Sequence, residues 1–76
     1  MYIRSQDRNT LINFENFNEI CLNREDFEIY AVSYTESSKI RVLLGRYSDL
    51  ETAEAEYEDI LDSLCDENNV AIHEVE

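Results

Sequence analysis

The sequence predicts a small α+β fold, and three observations lead there. Short β-prone stretches divided by polar clusters run from residue 2 to 46, apolar residues then recur with helical 3-4-3 spacing from Leu50 to Leu64, and alternation returns over Val70–Val75. The 76 residues leave room for one domain, 1–76, with a core drawn from a 43% hydrophobic content that includes five Tyr and three Phe. The expected architecture is a small antiparallel β-sheet, a meander, packed on one face by a single helix in the C-terminal half, with a short final strand at the sheet edge.

Tyr2–Arg4 and Leu11–Phe14 flank Ser5-Gln6-Asp7-Arg8-Asn9, whose Asp and Asn favour a tight turn, so these segments form a first hairpin. Phe17–Leu22 alternates and is separated by Asn23-Arg24-Glu25-Asp26 from Phe27–Tyr34, which makes a second hairpin. Thr35-Glu36-Ser37-Ser38 then divides Phe27–Tyr34 from Lys39–Arg46, two stretches rich in β-branched and aromatic residues. Gly45, the only glycine, stands where a bulge or a close backbone approach would exclude a Cβ.

The stripe Leu50, Ala53, Tyr57, Ile60, Leu61 and Leu64 predicts a helix over about 49–66 with those positions facing the sheet. Ser48 and Glu51 have the spacing of a capping box, and Asp66-Glu67-Asn68-Asn69 favours a turn that ends the helix. Residues 70–75 then pair as an edge strand. Cys21 and Cys65 form no CxxC or CxxH pattern and are expected to be reduced, buried as small hydrophobes.

Charge is the least ordinary feature, with 18 acidic against 6 basic residues for a formal net of −12. The first 46 residues hold all six basic residues beside seven acids and net −1, whereas the remaining 30 hold eleven acids and no Lys or Arg. Such asymmetry argues against direct binding to nucleic acid or to an anionic membrane, and a basic protein surface is its natural complement. No apolar run approaches the ~20 residues of a membrane span and the start lacks the apolar segment of a signal peptide, so a cytoplasmic location is expected.

Catalytic and metal chemistry find little support in the residue inventory. The one histidine, His73, lies on the expected last strand and reads as a surface residue without the partners a nucleophilic site needs. Cys and His together number three, in unrelated elements, which argues against a zinc site, and Asp66-Glu67-Asn68-Asn69 lacks the pattern of a calcium loop. One glycine excludes a phosphate-cradling loop. The chain is therefore read as a non-enzyme, with no cofactor, no catalytic residue and no metal ligand.

Met1-Tyr2-Ile3-Arg4-Ser5-Gln6-Asp7 with Leu11-Ile12-Asn13, and Leu44-Gly45-Arg46-Tyr47 running into a helix with Ala53 and Ile60, resemble a group of small Firmicutes and prophage proteins. The resemblance implies a phage-related setting, from which this chain departs by the density of acid on its helix.

Glu54, Glu58, Asp62 and Asp66 recur every four residues as one ridge, with Glu51, Glu56 and Asp59 on its flanks. Like charges at that spacing, and acids near the negative C-terminal end of the helix dipole, each oppose the helix by a few tenths of a kcal/mol. Two readings follow besides plain solubility. In the first, the ridge presents Glu51, Glu54, Glu58, Asp59, Asp62 and Asp66 to the basic surface of a nucleic-acid-binding host protein, as a DNA mimic or inhibitor; in a prophage an anti-CRISPR protein is the special case. In the second, the sheet face left uncovered by the helix, with Tyr30, Tyr34 and Tyr47, serves a small homodimeric structural or regulatory protein.

Overall fold

The computed structural model describes residues 1–65 and 71–76. Among them the chain runs β1 (Tyr2–Arg4), β2 (Leu11–Asn13), β3 (Glu19–Asn23), β4 (Glu28–Tyr34), β5 (Lys39–Arg46), α1 (Leu50–Cys65) and β6 (Ile72–Glu74), with a 3₁₀ turn at Phe14–Asn16 after β2. The α+β class, the helix in the C-terminal half and the final strand are those the sequence predicts. The strands, however, divide into two three-stranded sheets, ordered β2-β1-β6 and β3-β4-β5. The 3₁₀ turn causes the division. Phe14 leaves the strand to join that turn, donates its N–H to Met1 O, and Asn13 Oδ1 caps the turn by accepting from Glu15 N, so β3 departs in a new direction.

In the smaller sheet β1 pairs antiparallel with β2 and parallel with β6. A parallel neighbour needs a crossover connection, and α1 lies in the one that brings the chain back to β6. Register then decides what points inward: Ile3 stands opposite both Ile12 and His73, and all three are buried, while Tyr2 stands opposite Ile72 on the outer face, where both are exposed. His73 is thus an interior residue, and the surface position expected from its place on a terminal strand is corrected by its pairing with the fully buried Ile3.

The larger sheet is a continuous antiparallel meander. Its first turn is held by Asn23 Oδ1, which accepts from the N–H groups of Glu25 and Asp26, and closes through Phe27 at a left-handed φ of 57°. Its second is closed by Thr35 and Ser38, each donating its N–H to the other. Ile29 pairs with Gly45 but Tyr30 with Leu43, so Leu44 is the extra residue of a bulge beside the glycine. Gly45 also meets the close approach expected of it, because a Cβ there would lie 2.6 Å from Tyr47 Oη.

Ile3, Ile12, Ile20, Ile29, Ala31, Leu44, Ile60 and Val75 form one hydrophobic cluster to which both sheets and the helix contribute. The helix packs on β3 and β4. Ala53 and Ile60 are buried there as predicted, while Leu50, Tyr57, Leu61 and Leu64 are half-buried at the rim of the contact. The cap lies one residue later than predicted: Asp49 Oδ1 accepts from Thr52 N at 2.7 Å, which places Asp49 rather than Ser48 at the N-cap. Both cysteines are free, as expected, but neither is buried: Cys21 is half-buried on the outer side of β3 and Cys65 is exposed. No helix among the described residues is long and apolar enough to cross a membrane.

Candidate functional site

Helix geometry sorts the acidic residues of α1 into three groups. Glu51, Glu58 and Asp62 are exposed and make no ion pair among the described residues, and Asp59 is exposed beside them. Glu54 is half-buried and held by Arg24 at 3.1 Å, so its charge is already matched. Asp66 lies outside the described residues. Among the described positions of the ridge, Glu58 and Asp62 are exposed without an ion pair, Glu54 is paired, and Glu51 and Asp59 flank them.

Glu56 belongs to the third group and corrects its placement on an exposed flank, since it is only 8% exposed and faces the core. The reason is periodicity. Position 56 stands three residues after Ala53 and four before Ile60, on the very stripe those two define. The spacing of 53, 56 and 60 alone marks the position as inward, although a carboxylate there ordinarily signals solvent.

What receives Glu56 inside is His73, 6% exposed, whose Nε2 lies 3.0 Å from Glu56 Oε1. The other ring nitrogen, Nδ1, lies 2.7 Å from Ser63 Oγ, and Asp59 Oδ2 approaches Nε2 at 3.9 Å from the solvent side. Ser63 is two turns beyond Glu56 on α1, so one helix face supplies Glu56, Asp59 and Ser63, and β6 supplies the imidazole between them. A buried carboxylate without a partner would be costly, and His73 supplies the donor that makes the position tenable. The serine, histidine and glutamate have the composition of a hydrolytic triad. Ser63 nevertheless sits inside a regular helix, where neighbouring backbone N–H groups are committed to helical bonds and do not build an oxyanion hole.

The outer face of the larger sheet is the third candidate. Tyr30 donates its hydroxyl to Glu28 Oε1 at 2.6 Å and Tyr34 donates to Glu19 Oε1 at 2.6 Å, while Arg41 lies 4.8 Å over the Tyr30 ring and Lys39 5.4 Å over the Tyr34 ring. Tyr47 is not part of this face: it packs against the hydrophobic cluster with its hydroxyl buried, and burial raises its pKa. Exposed apolar side chains stand on both sheets, Tyr2, Leu11 and Ile72 on the smaller and Tyr34, Ile40 and Leu43 on the larger.

Glu28 offers a direct test of the outer-face network. The Tyr30 hydroxyl and then Arg46, whose Nε and Nη2 lie 2.7 and 2.6 Å from Glu28 Oε2, hold its carboxyl below the ordinary glutamate range. A lowered folded-state pKa means a contribution to stability that is present above the unfolded value of ~4.3 and is lost as pH falls through the lower folded value. Tyr30→Phe removes the larger cause, so the Glu28 carboxyl should titrate nearer its ordinary value in an NMR pH series. An unchanged midpoint would show that this hydroxyl does not hold the carboxylate.

No protein-family model, curated protein or solved structure matches the chain.

Proposed function

We propose that this chain is a non-enzymatic, acidic interaction module whose helix α1 engages the basic, nucleic-acid-binding surface of another protein, in the manner of a DNA mimic. The observation that carries this reading is the set Glu51, Glu58 and Asp62, exposed on one regular helix and without ion pairs among the described residues. Carboxylates four residues apart recur about every 6 Å along a helix axis, within a factor of two of the ~3.4 Å per phosphate along one DNA strand. Glu58 and Asp62 stand at that pitch with Glu51 about two turns before them, an array that an Arg- and Lys-lined channel can meet, and eleven acids without a Lys or Arg in the last 30 residues supply the field that steers such an encounter. A phage-encoded inhibitor of a host defence nuclease, of the anti-CRISPR kind, is the special case that the resemblance of its opening segment suggests.

The test is the double substitution Glu58→Gln with Asp62→Asn, measured against the host protein that affinity capture returns. Removing repulsion along 54–58–62 should leave the fold intact and raise helix stability by a few tenths of a kcal/mol per pair. Association at low salt should slow about tenfold or more, the salt dependence should shrink, and nucleic acid should compete with the wild-type chain for the same partner. Equal affinities and equal salt slopes for both proteins would sink the acidic-face reading. The homodimer reading would then gain, with Tyr30 and Tyr34 on the larger sheet and Tyr2, Leu11 and Ile72 on the smaller as the faces to test by sedimentation.

A further inference from the structure

Between α1 and β6 the buried pair Glu56 and His73 meets the exposed carboxylate of Asp59. Nε2 of His73 and one carboxylate oxygen each of Glu56 and Asp59 all lie within 4.8 Å of one another. We propose that these three residues form a binding site for a first-row divalent transition cation of the Zn²⁺ class, with Ser63 fixing the imidazole from behind.

Geometry supports the donor set. Ligand atoms 2.0–2.2 Å from a tetrahedral Zn²⁺ are about 3.3 Å from one another. Nε2 stands 3.0 Å from Glu56 Oε1 and 3.9 Å from Asp59 Oδ2, on either side of the required separation, and the two carboxylate oxygens, within 4.8 Å of each other, close on a cation by rotation of the exposed Asp59 side chain. Glu56 and Asp59 are three residues apart on α1 and so project from the same side of the helix toward β6. Asp59, with its side chain 66% exposed, leaves the fourth position open to water.

The imidazole is arranged as a metal ligand requires. Coordination through Nε2 replaces the proton that this nitrogen otherwise donates to Glu56 and needs the remaining proton on Nδ1. Ser63 Oγ, 2.7 Å away, can donate to Nδ1 without metal and accept its N–H with metal, so it holds the ring in place in both states. Charge argues the same way. No Arg or Lys forms an ion pair with Glu56 among the described residues, and a divalent cation would neutralise both carboxylates around a neutral imidazole. Counting Cys and His alone could not reveal such a site, because two of its three donors are carboxylates 14 and 17 residues from the histidine in sequence.

The experiment uses the full chain with Zn²⁺ and Co²⁺. One equivalent should bind saturably in equilibrium dialysis, raise the unfolding midpoint, and give Co²⁺ a visible d–d band of a low-coordinate N/O site. Asp59→Asn removes a ligand at an exposed position, where the fold does not depend on it, and should weaken binding tenfold or more. Ser63→Ala keeps all three ligands and should still cost about 10–100-fold through loss of the imidazole's anchor. Glu36→Gln, which matches the charge change in a distant turn, should bind as wild type does. Absence of saturable binding would overturn the proposal, and so would equal losses in Asp59→Asn and Glu36→Gln, since these would mean that cations merely adsorb to an acidic surface.

Discussion

Ile60→Ala should lower the stability of the protein by about 2–5 kcal/mol, the range for deleting a fully buried aliphatic side chain and leaving a partly unrelaxed cavity. Ile60 is the helix residue in the cluster that joins both sheets, and none of its surface is exposed. The better helix propensity of alanine returns at most a few tenths of a kcal/mol, too little to change the sign. For a domain whose whole stability is about 5–15 kcal/mol the loss is large, and each kcal/mol corresponds to ~4–8 °C in Tm at this size. Leu61→Ala, at the half-buried rim, should cost clearly less. Equal losses at 60 and 61 in urea denaturation would show that the helix is rotated from the phase described.

Gly45→Ala should cost about 1–3 kcal/mol, because the new methyl would lie 2.6 Å from Tyr47 Oη and 3.0 Å from ring carbons Cε2 and Cζ. Replacing glycine also restricts the unfolded chain, which favours alanine by about 0.4–1 kcal/mol, and the steric term is the larger. The Tyr47 hydroxyl is buried with no hydrogen-bond partner among the described residues. Tyr47→Phe should therefore be neutral or stabilising, by up to about 1–3 kcal/mol for removal of an unsatisfied polar group. It also removes the nearest atom, so the cost of Gly45→Ala should fall in the Tyr47→Phe background. A double-mutant cycle with no coupling between the two positions would show that the ring yields freely and that glycine is not required by it.

Much of this architecture was legible because local rules and tertiary packing agree. Polar clusters at 5–9, 23–26 and 35–38 mark turns in which Asp, Asn, Ser and Thr side chains bond the backbone, and the 3-4-3 stripe finds Ala53 and Ile60 buried where its period puts them. Gly45 was readable for the same reason, since a lone glycine in a strand signals a place that no Cβ can occupy. The exposed acids Glu51, Glu58, Asp59 and Asp62 likewise stand where helical spacing sets them.

By itself, then, the sequence determined the elements, their turns, the main helix stripe and a strongly acidic C-terminal part, all of which depend on contacts within a few residues or on composition. Tertiary structure alone decided that the strands form two sheets and that the last one pairs parallel to the first, for a chain's choice of distant neighbour leaves no local mark. That pairing set Ile3 opposite His73 and so turned the histidine inward while Ile72 faced out, the reverse of what residue polarity suggests. Once His73 is inside, Glu56 gains a hydrogen-bonding partner and can occupy the buried position its spacing indicates. Two polar residues that would each be costly to bury alone become tenable together, and only the fold brings them within 3.0 Å of one another.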